Sequence, residues 1–138
     1  MAVRVTAAKS SGFGEQWVKN WAKKTALAVG RPKDDIGVVF VGVKKIRALN
    51  REYRSQDRPT DVLSFPADGG GDMGDIFIAP EIARVKASER GSSYKDYLTL
   101  LIVHSVLHLG GYDHHTDKES KIMEKMENKI LKQVTGAR

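Results

Sequence analysis

The stretch SSYKDYLTLLIVHSVLHLGG, residues 92–111, limits the folds open to this chain more than any other. Ser93 and Asp96 stand at capping-box spacing, which predicts a helix start, and Gly110-Gly111 stops the helix after Leu109. Between them Leu98, Leu100, Leu101, Ile102, Val103, Val106 and Leu107 leave hardly any polar side. Such a helix belongs in the middle of a molecule, wrapped by other elements. It nevertheless holds His104 and His108, and His114 and His115 follow just beyond the stop. The chain has 4 histidines, so this region contains all of them.

The rest of the chain supplies the wrapping. From Glu15 to Val29, Trp17, Val18, Trp21, Ala22, Thr25 and Ala28 recur at helical spacing, and Gly30 and Pro32 close that helix. IGVVFVGV (36–43) is rich in β-branched residues and reads as a buried strand. Ile46, Leu49 and Tyr53 then mark a short amphipathic helix. DVLSFP (61–66) and DIFIAP (75–80) read as two strands joined by ADGGGDMG, with Pro80 and Glu81 opening a further helix that ends at Gly91. Thr116 and Glu119 form another capping box before a last helix with Ile122, Met126, Ile130 and Val134 on one face. The expected fold is α+β: a small mixed sheet packed against several helices, with the central apolar helix carrying the candidate metal ligands.

At 138 residues, without repeats or a low-complexity linker, residues 1–138 are expected to form one domain. No apolar run reaches the roughly 18–20 residues of a membrane span, and MAVRVTAAKSSG lacks the apolar core of a secretory signal. With 0 cysteines there is neither a disulfide nor a thiolate metal site, which fits a cytoplasmic location and leaves histidine and carboxylate as metal ligands. The formal charge of +6 suits either a polyanion partner or simply a basic solvated surface.

His104 and His108, at i and i+4, point to the same side of a helix, the spacing at which two imidazoles reach one ion. The Gly-Gly break lets the chain turn back and bring His114 to it; His115 is expected to leave the site. Three neutral histidines leave a fourth tetrahedral position for water, the layout of a catalytic zinc ion. The competing reading is a pair of core histidines, each of which would need a buried polar partner. The H-x3-H-x2-G-x2-H frame is also that of the metzincin proteases, but their general-base Glu is replaced by Ser105, which disfavours peptide hydrolysis.

Upstream, LNREYRSQDRPTDVLSFP (49–66) lies among Arg47, Arg51, Arg54 and Arg58. Arg54 is the favoured phosphate contact, its guanidinium being a planar fork; the alternative is a salt bridge to Asp57 or Asp61. Arg51, Arg58, Lys44 and Lys45 are further candidates for binding a polyanion such as nucleic acid, the two lysines opposing the dipole of the helix they open. Tyr53, Phe65 and Tyr112 are candidates for stacking on bases or for core packing.

The two stretches together resemble the YbeY family of bacterial ribosomal RNA maturation endoribonucleases. The family signature, close to H-G-x-L-H-L-x-G-Y-D-H, is matched by HSVLHLGGYDH (104–114). Its LN..YR....PT(D/N)VLSFP is matched by residues 49–66, its GDI strand by Gly74-Asp75-Ile76, and its final helix by Met123 to Leu131. The resemblance, covering residues 36–131, implies a Zn²⁺-dependent hydrolase that cuts single-stranded or loop RNA. It implies small-subunit ribosomal RNA 3′-end processing and ribosome quality control, with the small subunit and its assembly factors as partners. Ligands carry over to His104, His108 and His114, and the functional arginine to Arg54; Arg54 and His114 form the implied catalytic pair. Asp113 is either a general base or a group that orients an imidazole or caps the turn. One departure is Ser105, where the family has Gly, and it bears on how the cleft fits its substrate. The rival from another class is a non-catalytic ribosome-associated RNA-binding protein whose metal only staples helix to turn.

Overall fold

A computed structural model describes residues 2–112 and 115–135, with side chains as far as residue 132. In chain order the elements are strand β1 (Val3–Thr6), a 3-10 turn (Ala8–Ser11), helix α1 (Glu15–Ala28), β2 (Asp35–Phe40), α2 (Val43–Arg54), β3 (Val62–Gly69), β4 (Asp72–Ile78), α3 (Pro80–Glu89), α4 (Tyr94–Leu109) and α5 (Asp117–Thr135). The sheet is mixed, in the order β1-β2-β4-β3: β1, β2 and β4 are parallel, and β3 runs antiparallel at the edge. The α+β expectation holds. β1 was not legible in the sequence: four residues with one buried side chain give no readable period, and pairing with β2 (Val5 opposite Val38) makes the strand.

The two faces of the sheet are covered differently. Ile36, Val38, Phe40, Ile76 and Ile78 pack on one side against α1 and α4. On the other, Ile46 and Leu49 of α2 pack with Leu63 and Ala79, and Phe65 and Phe77 flank them. Alternation along β4 sends Ile76 and Ile78 one way and Phe77 the other, as a pleated strand requires.

Three expected details are corrected. ADGGGDMG is no loop: β3 and β4 run into it, pairing Gly69 with Asp72 across a two-residue Gly70-Gly71 turn in which all three glycines have positive φ. Tyr53 does not join the buried face of α2; it is 60% exposed, its ring edge-on to Phe65 at 5.3 Å. The buried face of α5 is Met123, Glu127 and Ile130, one step round from the predicted stripe, and Ile122 is 48% exposed. Val134 lies outside the residues whose side chains are described.

Of the two predicted capping boxes, Thr116–Glu119 forms in full and Ser93 caps α4 with one of the two bonds. Ser93 Oγ accepts from the Asp96 amide at 3.1 Å, while Thr116 and Glu119 exchange two bonds, each of 3.1 Å. Asp61, just before β3, is buried and ties three elements together. It accepts from the Tyr97 hydroxyl of α4 at 2.5 Å and faces Lys86 of α3 at 3.4 Å, and its carbonyl accepts from the Ala79 amide. Burial, and then the bond to Asp61, push the Tyr97 hydroxyl up from 10.0 to about 12.

Tyr97→Phe leaves a buried Asp61 oxygen without its donor and should cost about 1–3 kcal/mol near neutral pH. Because the folded pKa is the raised one, this contribution is complete below pH 10 and fades as pH climbs toward 12. Denaturant titrations of both proteins at about pH 9 and about pH 11 should therefore show the gap between them narrowing. A gap that stays constant would mean the hydroxyl does not hold its proton against Asp61.

Candidate active site

From Tyr97 to Leu109 every residue of α4 is buried except Leu100, His104 and His108. These stand at i, i+4 and i+8, so the helix has a single open line, and both of its histidines lie on it. The sequence reading that put the two imidazoles on one face is confirmed for these residues. Ser105, one step round, is only 2% exposed, so its side chain neither narrows an open cleft nor offers a hydroxyl to a ligand. After Leu109, the Gly110 and Gly111 amides bond back to Val106 and His108, and Gly111 takes φ 105, the reversal expected of it. Tyr112 packs half-buried on the main core, and His115 is exposed. His114 and Asp113 lie outside the described residues. Among the described residues no three His, Asp or Glu side chains form a group able to hold a metal ion.

Packing of α5 on α4 brings a residue that the sequence reading missed. Glu127, 9% exposed, places Oε1 3.3 Å from His104 Nδ1. A carboxylate can only accept, so in the neutral ring this contact selects the tautomer with its hydrogen on Nδ1 and the lone pair on Nε2. That is the tautomer a metal ligand needs, and a carboxylate behind a ligating imidazole is the usual arrangement around such ions. The described donors therefore fit a metal: two imidazoles one turn apart on an open line, one of them oriented from behind. An acidic residue at i+4 from Met123 and i−3 from Ile130 was the available signal, hidden by the misplaced stripe.

The second constellation is built by α2 and the turn into β3. Asn50 is buried and donates to the Arg58 carbonyl at 2.9 Å, while its own carbonyl accepts from Gln56. The turn is thus latched to the helix. Arg54 donates from Nη2 to the Ser64 carbonyl at 2.6 Å and lies 5.4 Å over the Phe65 ring. Neither suggested salt bridge of Arg54 is its described contact: Asp57 takes Arg47 at 2.9 Å and Arg51 at 4.0 Å, and Asp61 takes Tyr97 and Lys86. The Arg47 hydrogen bond holds the Asp57 carboxyl below its usual range. Arg58 folds onto Gln56 Oε1, whereas Lys44 and Lys45 are exposed in a first turn without an acidic residue. Phe65 stands between Tyr53 and Phe77 and packs against the second core cluster. β3 links the two constellations, since its Ser64 carbonyl accepts from Arg54 and the strand also packs against α4.

Fold and site together define a small α+β domain that offers paired imidazoles on its central helix and, from the end of α2, a guanidinium held against its edge strand. The family profile described as Endoribonuclease YbeY matches residues 4–135. Two relatives named Endoribonuclease YbeY are those of Thermotoga maritima, 35% identical over 91% of this chain and 85% of the relative, and of Bartonella bacilliformis, 37% identical over 78% and 73%. A solution structure of a Thermotoga maritima protein matches with a TM-score of 0.69 and 31% identity, covering 98% of this chain and 90% of the other. The chain belongs to the YbeY endoribonuclease family.

In metal-free protein, long-range ¹⁵N–¹H correlation should find His104 with its hydrogen on Nδ1 and Nε2 bare. Glu127→Ala should remove that preference. An Nε2–H tautomer in the unsubstituted protein would mean that the contact with Glu127 does not orient the ring.

Proposed function

We propose that this member of an endoribonuclease family cuts single-stranded RNA in the maturation of the small-subunit ribosomal RNA 3′ end, using one metal ion, most naturally Zn²⁺. The observation that carries the reading is the open line of α4, which leaves His104 and His108 as the accessible polar groups of a helix otherwise buried from Tyr97 to Leu109. His104, His108 and His114 would hold the ion, with Glu127 behind His104. A bound divalent ion supplies Lewis acidity toward a phosphoryl oxygen and lowers the pKa of a water.

The chain's own residues supply the rest. Arg54, held out over β3 by the Ser64 carbonyl and the Phe65 ring, keeps donors for a phosphate and would neutralise charge growing on it. Its anchor is fixed before substrate arrives, so little reorganisation is needed. Asp113 adjoins a ligand in sequence and is assigned to orienting an imidazole or accepting a proton. Either a water or the RNA 2′-hydroxyl serves as nucleophile, and the product ends distinguish them, the latter leaving a cyclic phosphate. The domain, residues 1–138, is assigned to a cytoplasmic enzyme that meets the small subunit and its assembly factors; among the described residues no helix is long and apolar enough to cross a membrane.

A 3′-extended small-subunit RNA fragment should be cut by metal-loaded protein and left intact by folded His108→Ala prepared identically. Equal cutting by both would dismiss the histidine site. In competition with a chromogenic chelator, Glu127→Ala should hold Zn²⁺ about 10–100-fold more weakly. If His108→Ala instead unfolds, the metal is a staple between helix and turn, and the non-catalytic RNA-binding reading takes over.

A further inference from the structure

The formal charge of +6 is not spread evenly once local pairings are removed. Every described arginine is engaged: Arg4 with Asp35, Arg31 with Asp34, Arg47 and Arg51 with Asp57, Arg54 with Ser64, Arg58 with Gln56, and Arg84 and Arg90 over Tyr94 and Tyr97. Of the lysines, only Lys19 and Lys86 form ion pairs among the described residues. Of the twelve lysines without such a pair, five lie on α5, at Lys118, Lys121, Lys125, Lys129 and Lys132.

All five are exposed. Lys121, Lys125, Lys129 and Lys132, at i, i+4, i+8 and i+11, make one row about 16 Å long on the side of α5 away from Met123, Glu127 and Ile130. Like charges at i, i+4 work against a helix, so this row opposes the element that bears it. It is also next to the site. A cleft of about 430 Å³ between α4 and α5 is lined by Arg90, Leu100, His104, Met123, Glu127 and Asn128. Glu124 and Asn128 line both this cleft and the hollow among the lysines.

We propose that the lysine row of α5 receives the phosphate backbone of single-stranded RNA and leads it by way of Asn128 into the cleft at His104. Lysine heads on a helix are mobile point charges, suited to a backbone whatever its sequence. The surface therefore adds affinity and direction without base readout. The inference rests on the endoribonuclease reading for its ligand, and its test is separable from that reading.

Binding of a labelled single strand of about 16 nucleotides is followed by anisotropy over a salt series, in EDTA so that nothing is cut. The variant K121Q/K125Q/K129Q/K132Q keeps helix propensity nearly unchanged. It should bind at least about tenfold more weakly near 0.1 M salt, and its log–log salt slope should be shallower by about 3, near 0.7 for each lysine. The control K9Q/K23Q/K24Q/K33Q removes the same charge from exposed positions elsewhere and should keep the wild-type slope. Equal losses in both variants would reduce the effect to net charge and overturn the proposal. So would unchanged RNA binding by the α5 variant, a wild type that shows no salt-dependent RNA binding, or losses confined to phosphatidylglycerol vesicles. His108→Ala should retain the wild-type slope while losing cleavage, so failure of the track and failure of the histidine site give different results.

Discussion

Burial of α4 is the constraint on which the rest of the structure depends. Leu98, Ile102, Val103, Val106 and Leu107 are almost fully removed from water, and burying such side chains stabilises a fold by about 1.5–3 kcal/mol each. That requires partners nearly all the way round the helix. The sheet, α1, α3 and α5 supply them and leave one open line. A polar group on such a helix is tolerated on that line or must be hydrogen-bonded elsewhere. The buried Thr99 hydroxyl bonds back to the Lys95 carbonyl, whereas His104 and His108 take the open line. The position of the imidazoles is thus a consequence of packing, and a helix fixed on most sides holds them rigidly.

Electrostatics acts around this frame by pairing groups locally. Asp61 sits under β3 at the junction of α3 and α4, and burial together with its hydrogen bond keeps the Tyr97 hydroxyl protonated to unusually high pH. Asp57, in the turn after α2, occupies Arg47 and Arg51. With both carboxylates engaged elsewhere, the described anchors of Arg54 are a backbone carbonyl and an aromatic ring, neither of which cancels its charge. A guanidinium fixed in place but not neutralised is what recognition of a phosphate requires.

Much of this was legible beforehand, for identifiable reasons. Helix caps are local: Ser93 with Asp96 and Thr116 with Glu119 need only a residue and its neighbour three positions on, and both helix starts are capped as expected. The spacing of His104 and His108 is likewise a property of one helix. The failures turn on what a segment pairs with or packs against. β1 exists because β2 lies beside it, and the β3–β4 hairpin extends because two strands meet across three glycines. Glu127 was passed over because a shift of one position in the apolar stripe of α5 changes which residue faces α4.

The sequence by itself determined that a central apolar helix ends at a Gly-Gly turn, that two histidines share one side of it, and that an arginine stands where the second helix gives way to a turn. Helical periodicity, capping and turn chemistry are short-range, so neighbouring residues suffice to encode them. Only the tertiary structure decided which line of α4 stays open, that Glu127 backs His104 from 23 residues away, and that Arg54 settles on Ser64 rather than on a carboxylate. It also decided that Glu124 and Asn128 of α5 stand between the cleft at His104 and the hollow among the lysines. Those outcomes depend on which surfaces meet when the chain compacts, and no local pattern specifies that.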